Sequence, residues 1–314
     1  MPGNAPFLSA ERLQAMLSPA EALSAIQTFF RTHGPADVAV PPRIHLPFPG
    51  RSTIGLYMPA ATGTHSGVKI VHLMPDRYPS VAAEVFLYDA ETGALLFWGD
   101  GKPLTGLRTA GVSCAAALQL RGKCDNLLVF GAGVQAAAHI RLFLAGYGDV
   151  GNITVAARGE ASFRRMLAML PPEEAARPRL ALPGSAELEA ALGAADVVVT
   201  TTPAPQPLFA WEALAPTALV VGIGSATHAM NELPPEGFVE AEVWLDTANA
   251  VEEAGDLQAA QKAGWRPGSQ RGELGDLLRA DPATTRDQGG RAIFKSVGHA
   301  AQDLAILVHL HGLL

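Results

Sequence analysis

Cysteine is nearly absent. Only Cys114 and Cys124 occur in 314 residues, in neither a CxxC pair nor a zinc-ligand spacing, so a disulfide-stapled fold is excluded and two reduced, buried thiols are expected. Charge is scarce as well. Charged residues make up 17% against 48% apolar, and no long polar tract interrupts the chain, which excludes a disordered protein. The basic residues are scattered singly under a formal charge of -7, so no phosphate-backbone footprint exists and nucleic acid is not an expected partner. A small anion can still be held by two or three local arginines. No apolar run approaches the roughly 18 residues of a membrane span, and Met1 to Ser9 has neither a basic leader nor an apolar core. A cytoplasmic protein without a membrane partner is expected. The histidines are dispersed, and His45, His65 and His72 have no Asp or Cys at ligand spacing, so no metal is expected.

What is present points to an α/β protein of about two domains. Ser18-Pro19-Ala20-Glu21 reads as a capping box with proline at the first helical position, opening an amphipathic helix through about Phe30. Short β-rich runs follow at Thr53 to Tyr57, Val68 to Leu73, Val81 to Tyr88 and Ala94 to Trp98, which read as successive antiparallel strands. Thr105 to Leu120 reads as a helix ending at Arg121-Gly122 and linking two domains.

Beyond it strands and helices alternate: Leu127 to Phe130, helix Val134 to Ala145, Ile153 to Ala157, helix Ala161 to Leu170, a strand near Leu180, helix Ala186 to Leu192 and Val197 to Thr200. Strands at Leu219 to Ile223 and Glu242 to Leu245 would complete a six-stranded, doubly wound parallel sheet of Rossmann type. The apolar helix Val297 to Leu313 needs a partner, and the N-terminal domain is the expected one. The expected domains are therefore residues 1–120 with 297–314, an α+β unit, and residues 121–296, the dinucleotide-binding unit.

Gly131-Ala132-Gly133-Val134-Gln135-Ala136 follows a buried strand and opens a helix, the context that gives a GxGxxA pattern its meaning. Gly131 permits the tight turn, Gly133 lets the backbone approach a pyrophosphate, and Ala136 allows close helix-sheet packing, with the helix N-terminus aimed at the anion. The alternative is a glycine-rich turn without a ligand. Past the second strand, where an NAD site usually carries an acid for the ribose hydroxyls, stands Arg158. A guanidinium there pairs with a 2'-phosphate and would favour NADPH over NADH; it is otherwise an exposed arginine. Thr200 and Thr202 follow an apolar strand at its carboxyl end, where hydroxyls either contact a ribose or cap the strand.

Several segments together resemble the ornithine cyclodeaminase/mu-crystallin family. They are Pro42-Arg43-Ile44, Met58-Pro59-Ala60, Gly67 to Val71, Leu104 to Ala110, Gly131 to Ala136, Gly224-Ser225 with Glu232-Leu233, and Phe294 to Gly298 with Asp303. The resemblance implies a homodimer whose N-terminal domain, completed by the C-terminal helix, forms the substrate and dimer region beside a Rossmann domain. It implies that Arg43, Lys69 and Arg108 hold a substrate carboxylate, with Ser80 and Thr109 nearby. It also places Ser225 against the substrate, puts Ser296 and Gly298 beside the nicotinamide, and makes Asp303 either a residue that orients Lys69 or Arg108 or helix surface. The trio is chemically sensible, because a carboxylate taken out of water needs charge-assisted donors. A buried lysine also has a lowered pKa and exchanges protons with an imine. For Lys69 the other reading is a solvated strand lysine.

Departures from the cyclodeaminase pattern narrow the chemistry. Ser225 stands where those enzymes carry an aspartate for the substrate amine, and Leu56 stands where they place an acid for the side-chain ammonium. Both losses argue against a diamine substrate. His228 replaces a common proline and is given no catalytic role. The expected function is NAD(P)H-dependent reduction of cyclic imino acids, pyrroline-2-carboxylate or piperideine-2-carboxylate, to proline or pipecolate. Lys69 and Arg108 are the catalytic pair. The alternatives are ornithine cyclodeamination, an alanine-type amino-acid dehydrogenase, and a non-catalytic NADPH-binding protein.

Overall fold

The computed structural model describes residues 5–78, 80–225, 227–286 and 289–314. Residues 1–4, the start of the segment read for a leader, lie outside them. Contacts divide the chain into one unit that ends at Arg108 and resumes over His299–Leu314, and a second unit, Thr109–Gly298. The division falls inside the helix Lys102–Leu120, where the sequence suggested its end.

In the first unit the Ser18 capping box forms as read. The Ser18 hydroxyl accepts from the Glu21 amide, the Glu21 carboxylate accepts from the Ser18 amide at 2.7 Å, and the helix Pro19–Thr32 follows. Six strands, β1 (Phe7–Leu8), β2 (Ile44–Pro47), β3 (Ile54–Ala61), β4 (His65–Leu73), β5 (Val81–Asp89) and β6 (Leu95–Asp100), form one sheet in the order β1-β6-β5-β4-β3-β2. β1 joins parallel to β6 and every other pair is antiparallel. β1 and β2 escaped the sequence reading: β1 has two residues and β2 is exposed throughout, so neither carries a period-2 apolar signal.

Alternation sends Gly67, Lys69 and Val71 of β4 to a buried face and Val68, Ile70 and His72 to a half-buried one. The helix Ala300–His311 covers the buried face, packing on β3, β4 and β5 and against the helix Pro19–Thr32. Its close approach depends on Gly67, whose added Cβ would lie 3.1 Å from Leu304 Cδ1 and 3.2 Å from Leu307 Cδ1. On the other face Phe7, Trp98, Phe86, Val68 and Pro59 stand in one row across five strands.

In the second unit eight strands, all parallel, run β13-β12-β14-β11-β10-β7-β8-β9. They are β7 (Asn126–Phe130), β8 (Asn152–Ala156), β9 (Pro178–Ala181), β10 (Val197–Thr200), β11 (Leu219–Gly222), β12 (Glu242–Leu245), β13 (Gly272–Glu273) and β14 (Ala292–Lys295). The count corrects the expected six. β14 inserts between β11 and β12, although its four residues were assigned to no element from the sequence. It is buried at every position, so it has no alternation to betray it. β7 lies between β8 and β10, so the chain reverses its winding direction beside β7, the place where doubly wound sheets bind ligands at their carboxyl ends. No helix among the described residues is long and apolar enough to cross a membrane.

Candidate active site

Lys69 sits mid-strand in register with Met58 of β3 and Val85 of β5, both buried, so its four-carbon stem lies in an apolar layer. Its ammonium meets a carboxylate from the covering helix: Nζ donates to Asp303 Oδ1 at 2.8 Å and lies 2.8 Å from Oδ2. Arg108, on the helix Lys102–Leu120, places Nε 3.3 Å from Asp303 Oδ1 and donates through Nη1 to Gln302 Oε1 at 2.6 Å. Lys69 and Asp303 are each 2% exposed and Arg108 is 7% exposed. Two buried cations thus share one carboxylate, and the trio carries a net positive charge in a low-dielectric setting, where charge demands a partner.

The Lys69 ammonium responds to this setting. Burial, then repulsion from Arg108, brings its pKa down to about 8, Asp303 opposes the fall, and the charge of Arg43 adds to it. Burial would raise the Asp303 pKa, but Lys69 and Arg108 outweigh it and hold that group below the ordinary range. Arg43 is half-buried and precedes β2, and its charge reaches Lys69. Ser80 is not brought to the cluster: it is exposed, and its carbonyl accepts from Met74 beyond the last β4/β5 pair. That is five ladder positions from Val85, roughly 17 Å of strand. Thr109 is buried, and its carbonyl accepts from Ser113 Oγ at 3.1 Å.

The glycine turn of the second unit has the shape a dinucleotide requires. Gly131 has φ +109°, and a Cβ there would lie 2.6 Å from Thr201 Oγ1, so no side chain fits. Its amide donates to Ala156 O at 2.9 Å, which fixes the turn beside the end of β8. Around Gly133, by contrast, a Cβ would meet nothing within 4 Å. Gly133 is the N-cap of the helix Val134–Tyr147 and supplies no side-chain cap, so the first-turn amides are left for an anion. Ala136 is fully buried, Val134 is 65% exposed at the mouth, and Ala132 and Gln135 are half-buried. Gln135 Oε1 has no hydrogen-bond partner among the described residues although the atom is buried. Two residues past β8, Arg158 is exposed and makes no ion pair or hydrogen bond among the described residues.

Five residues read as ligand contacts make hydrogen bonds within the protein. Thr200, fully buried, donates from Oγ1 to Glu232 Oε2 at 3.0 Å; Thr202 donates its amide and hydroxyl to Glu232 Oε1 at 2.6 and 2.8 Å. These threonines tie β10 to Glu232, and the protons of both hydroxyls are spent on that carboxylate. Ser225 donates to Met230 O at 2.5 Å and accepts from the Asp256 amide at 3.3 Å, while its own amide goes to Glu232. It is a staple of the loop after β11. Ser296 Oγ and the Gly298 amide both donate to Asp246 Oδ2 at 2.7 Å, with the Val297 amide at 3.2 Å. The Ser296 hydroxyl and the amides of all three residues are therefore already committed, the Ser296 amide to Gly222 O.

Sequence reasoning missed the group that organises this edge of the sheet. Glu232, Asp256 and Lys295 are all fully buried, and Lys295 Nζ lies 3.1 Å from Asp256 Oδ2 and donates to Gly222 O at 3.2 Å. Asp256 Oδ1 accepts the amides of Glu232 and Leu233. Burial raises the Glu232 pKa against the pull of Lys295. The advance signal was that Glu232 and Lys295 fall within segments that carry the family resemblance. His228, exposed, shares a hydrogen bond with Glu252 O and joins no catalytic group.

The family model described as ornithine cyclodeaminase/mu-crystallin matches residues 5–312. The Delta(1)-pyrroline-2-carboxylate reductase 2 of Burkholderia ambifaria is 30% identical over 308 residues, 96% of this chain and 93% of that protein. The Delta(1)-pyrroline-2-carboxylate/Delta(1)-piperideine-2-carboxylate reductase of Azospirillum brasilense is 31% identical over 307 residues, again 96% and 93%. The structure of the Thermococcus litoralis Delta(1)-pyrroline-2-carboxylate reductase in complex with NADH and L-proline superposes with a TM-score of 0.84 at 22% identity, covering 98% of this chain and 96% of that one. That last likeness speaks for the fold.

Proposed function

The chain belongs to the ornithine cyclodeaminase/mu-crystallin family, and we propose that it is an NAD(P)H-dependent reductase of cyclic imino acids, converting pyrroline-2-carboxylate or piperideine-2-carboxylate to proline or pipecolate. The observation that carries this reading is the buried Lys69-Asp303-Arg108 cluster, cationic by one charge and built around a proton donor of lowered pKa. The two relatives of about 30% identity are reductases of these imines.

Bound NADPH or NADH supplies the reducing equivalent, and the fit of a dinucleotide is supported by the Cβ-free cradle at Gly131 and Gly133 and the uncapped helix amides of Val134 and Gln135. The residues of the first unit handle the substrate. Arg108, with Arg43, takes the carboxylate, which neutralises the surplus charge of the cluster. Lys69 Nζ then gives a proton to the imine nitrogen as that atom gains electron density, so C=N becomes CH–NH without a charged intermediate left in the apolar layer. Asp303 holds Nζ in place and keeps it protonated near neutral pH. A diamine is not served: Ser225 is tied to Met230 O, and Leu56 supplies no acid.

Purified protein should consume NAD(P)H steadily with either cyclic imine, and Lys69→Ala should lower kcat/KM at least about tenfold. Absence of turnover on both imines, with proline and ammonia released from ornithine instead, rejects the reductase reading. Arg158 is assigned to the 2'-phosphate of NADPH; Arg158→Ala should shrink the NADPH-over-NADH ratio of kcat/KM by about tenfold, the loss of one charge-assisted pair. An unchanged ratio removes Arg158 from the cofactor site.

The protein is further assigned to the cytoplasm, as a homodimer. The row Phe7-Trp98-Phe86-Val68-Pro59 is an apolar, half-exposed sheet face, with Phe7 50% and Trp98 37% exposed, and a second copy is the occupant that buries it.

A further inference from the structure

At the amino-terminal edge of the second unit's sheet, opposite the edge that carries the glycine turn, a cavity of about 270 Å³ opens beside the first residues of β12 and β14. That is below the ~300–1,000 Å³ typical of drug-sized ligands, and suits a small metabolite. Its walls hold Arg291 and Glu240, which also line a neighbouring recess against Trp211.

Both charges are oriented by one immobile residue. Trp211 is 1% exposed and packed so tightly on Gly237 that a Cβ there would lie 2.6 Å from its ring. The indole Nε1 donates to Glu240 Oε2 at 2.9 Å, and the Arg291 guanidinium stands 5.2 Å over the ring centroid. Arg291 is anchored further by donating Nε to Ala215 O at 3.1 Å and Nη2 to Leu214 O at 2.6 Å. Glu240 Oε1 and Arg291 Nη1 have no protein partner among the described residues, and the two groups form no ion pair with each other. Opposite charges normally collapse into a pair when their side chains are free to do so. Here Trp211 and the two carbonyls hold them apart across a cavity.

We propose that this cavity, where Arg291 and Glu240 are each fixed on Trp211 and kept from one another, binds a small zwitterionic amino acid. Its carboxylate pairs with the guanidinium of Arg291, its ammonium with the carboxylate of Glu240, and the separation that prevents a direct ion pair becomes the recognition distance. The cavity lies wholly within the second unit and shares no residue with the Lys69 cluster, so it is a second site that stands whatever the reaction of the first.

Calorimetric titration with L-proline and with glycine tests it. In Arg108→Ala/Arg43→Ala protein, which lacks both carboxylate ligands of the first unit, one site of millimolar affinity is expected for both amino acids. Adding Glu240→Gln, which keeps an oxygen for the Trp211 N–H but loses the charge, should weaken binding at least tenfold. Acetate and methylammonium, each carrying half of the zwitterion, should bind at least tenfold more weakly than glycine. No binding to Arg108→Ala/Arg43→Ala, equal binding with and without Glu240→Gln, or acetate as tight as glycine each overturns the proposal. If Arg108→Ala/Arg43→Ala does not fold, the same titration in wild-type protein should show two sites, and Glu240→Gln alone should remove one while leaving kcat/KM for the imine unchanged.

Discussion

Asp303 decides what Lys69 can do. Its carboxylate is the one favourable influence on an ammonium that burial and the charges of Arg108 and Arg43 all disfavour. With a folded-state pKa of about 8, Lys69 is protonated below that value and neutral above it, so a reaction that draws its proton should slow as pH rises through about 8. Asp303→Asn keeps the shape and removes the charge, and should move this alkaline limb of kcat/KM to lower pH by about one unit or more. The same lowered pKa has a stability consequence. Between about 8 and 10.5 the unfolded chain holds the proton that the folded chain has lost, so this group contributes stability that rises with pH across that window. A pH profile of kcat/KM that is flat from 7 to 9.5 in wild-type protein, or unmoved in Asp303→Asn, excludes Lys69 as the proton donor.

At the scale of elements, the turn between β7 and the helix Val134–Tyr147 shows how two glycines in one motif do different work. Gly131 has no room for a side chain and a positive φ, whereas Gly133 opens on space. Gly131→Ala should therefore cost about 1–3 kcal/mol of stability and weaken NADPH binding at least tenfold, read by urea denaturation and by fluorescence titration. Gly148→Ala is the control: its φ is +73° but a Cβ there meets nothing within 4 Å, so it should share the strain and spare the binding. Equal loss of NADPH affinity in both would mean that the turn acts only through stability. Elements with a strong local signal were readable in advance. The Ser18 box and the glycine turn each rest on contacts or backbone preferences a few residues apart. β14 was not, and its place between β11 and β12 is set by long-range pairing.

On the scale of the whole molecule, a sheet with one face under a helix and an apolar row on the other is incomplete by itself. The phenylalanine and tryptophan rings of that row already pack together, Phe7 tilted against Trp98 with centroids 4.6 Å apart and Phe86 stacked on Trp98 at 6.1 Å, which presents them as a single patch. If two copies meet there about a twofold axis, each Trp98 is buried, and Trp98→Lys places a charge in that contact at high cost. Sedimentation should find a dimer for wild-type protein and a monomer with unchanged far-ultraviolet circular dichroism for Trp98→Lys. A monomeric wild type at micromolar concentration overturns the dimer, and a dimeric Trp98→Lys moves the interface off this face.

The order of amino acids alone determined the class of fold and the dinucleotide turn, because strand alternation, helix capping and glycine requirements are local and survive in one dimension; the two cations were singled out by family resemblance. Only the tertiary structure decided who neutralises whom. Asp303 is 234 residues from Lys69 and reaches it because the last helix returns to cover β4. Thr200, Thr202 and Ser225 looked like ligand contacts until Glu232 and Met230 took their hydroxyls. Electrostatic partnership depends on distance in space, and the chain's sequence orders residues only along its length.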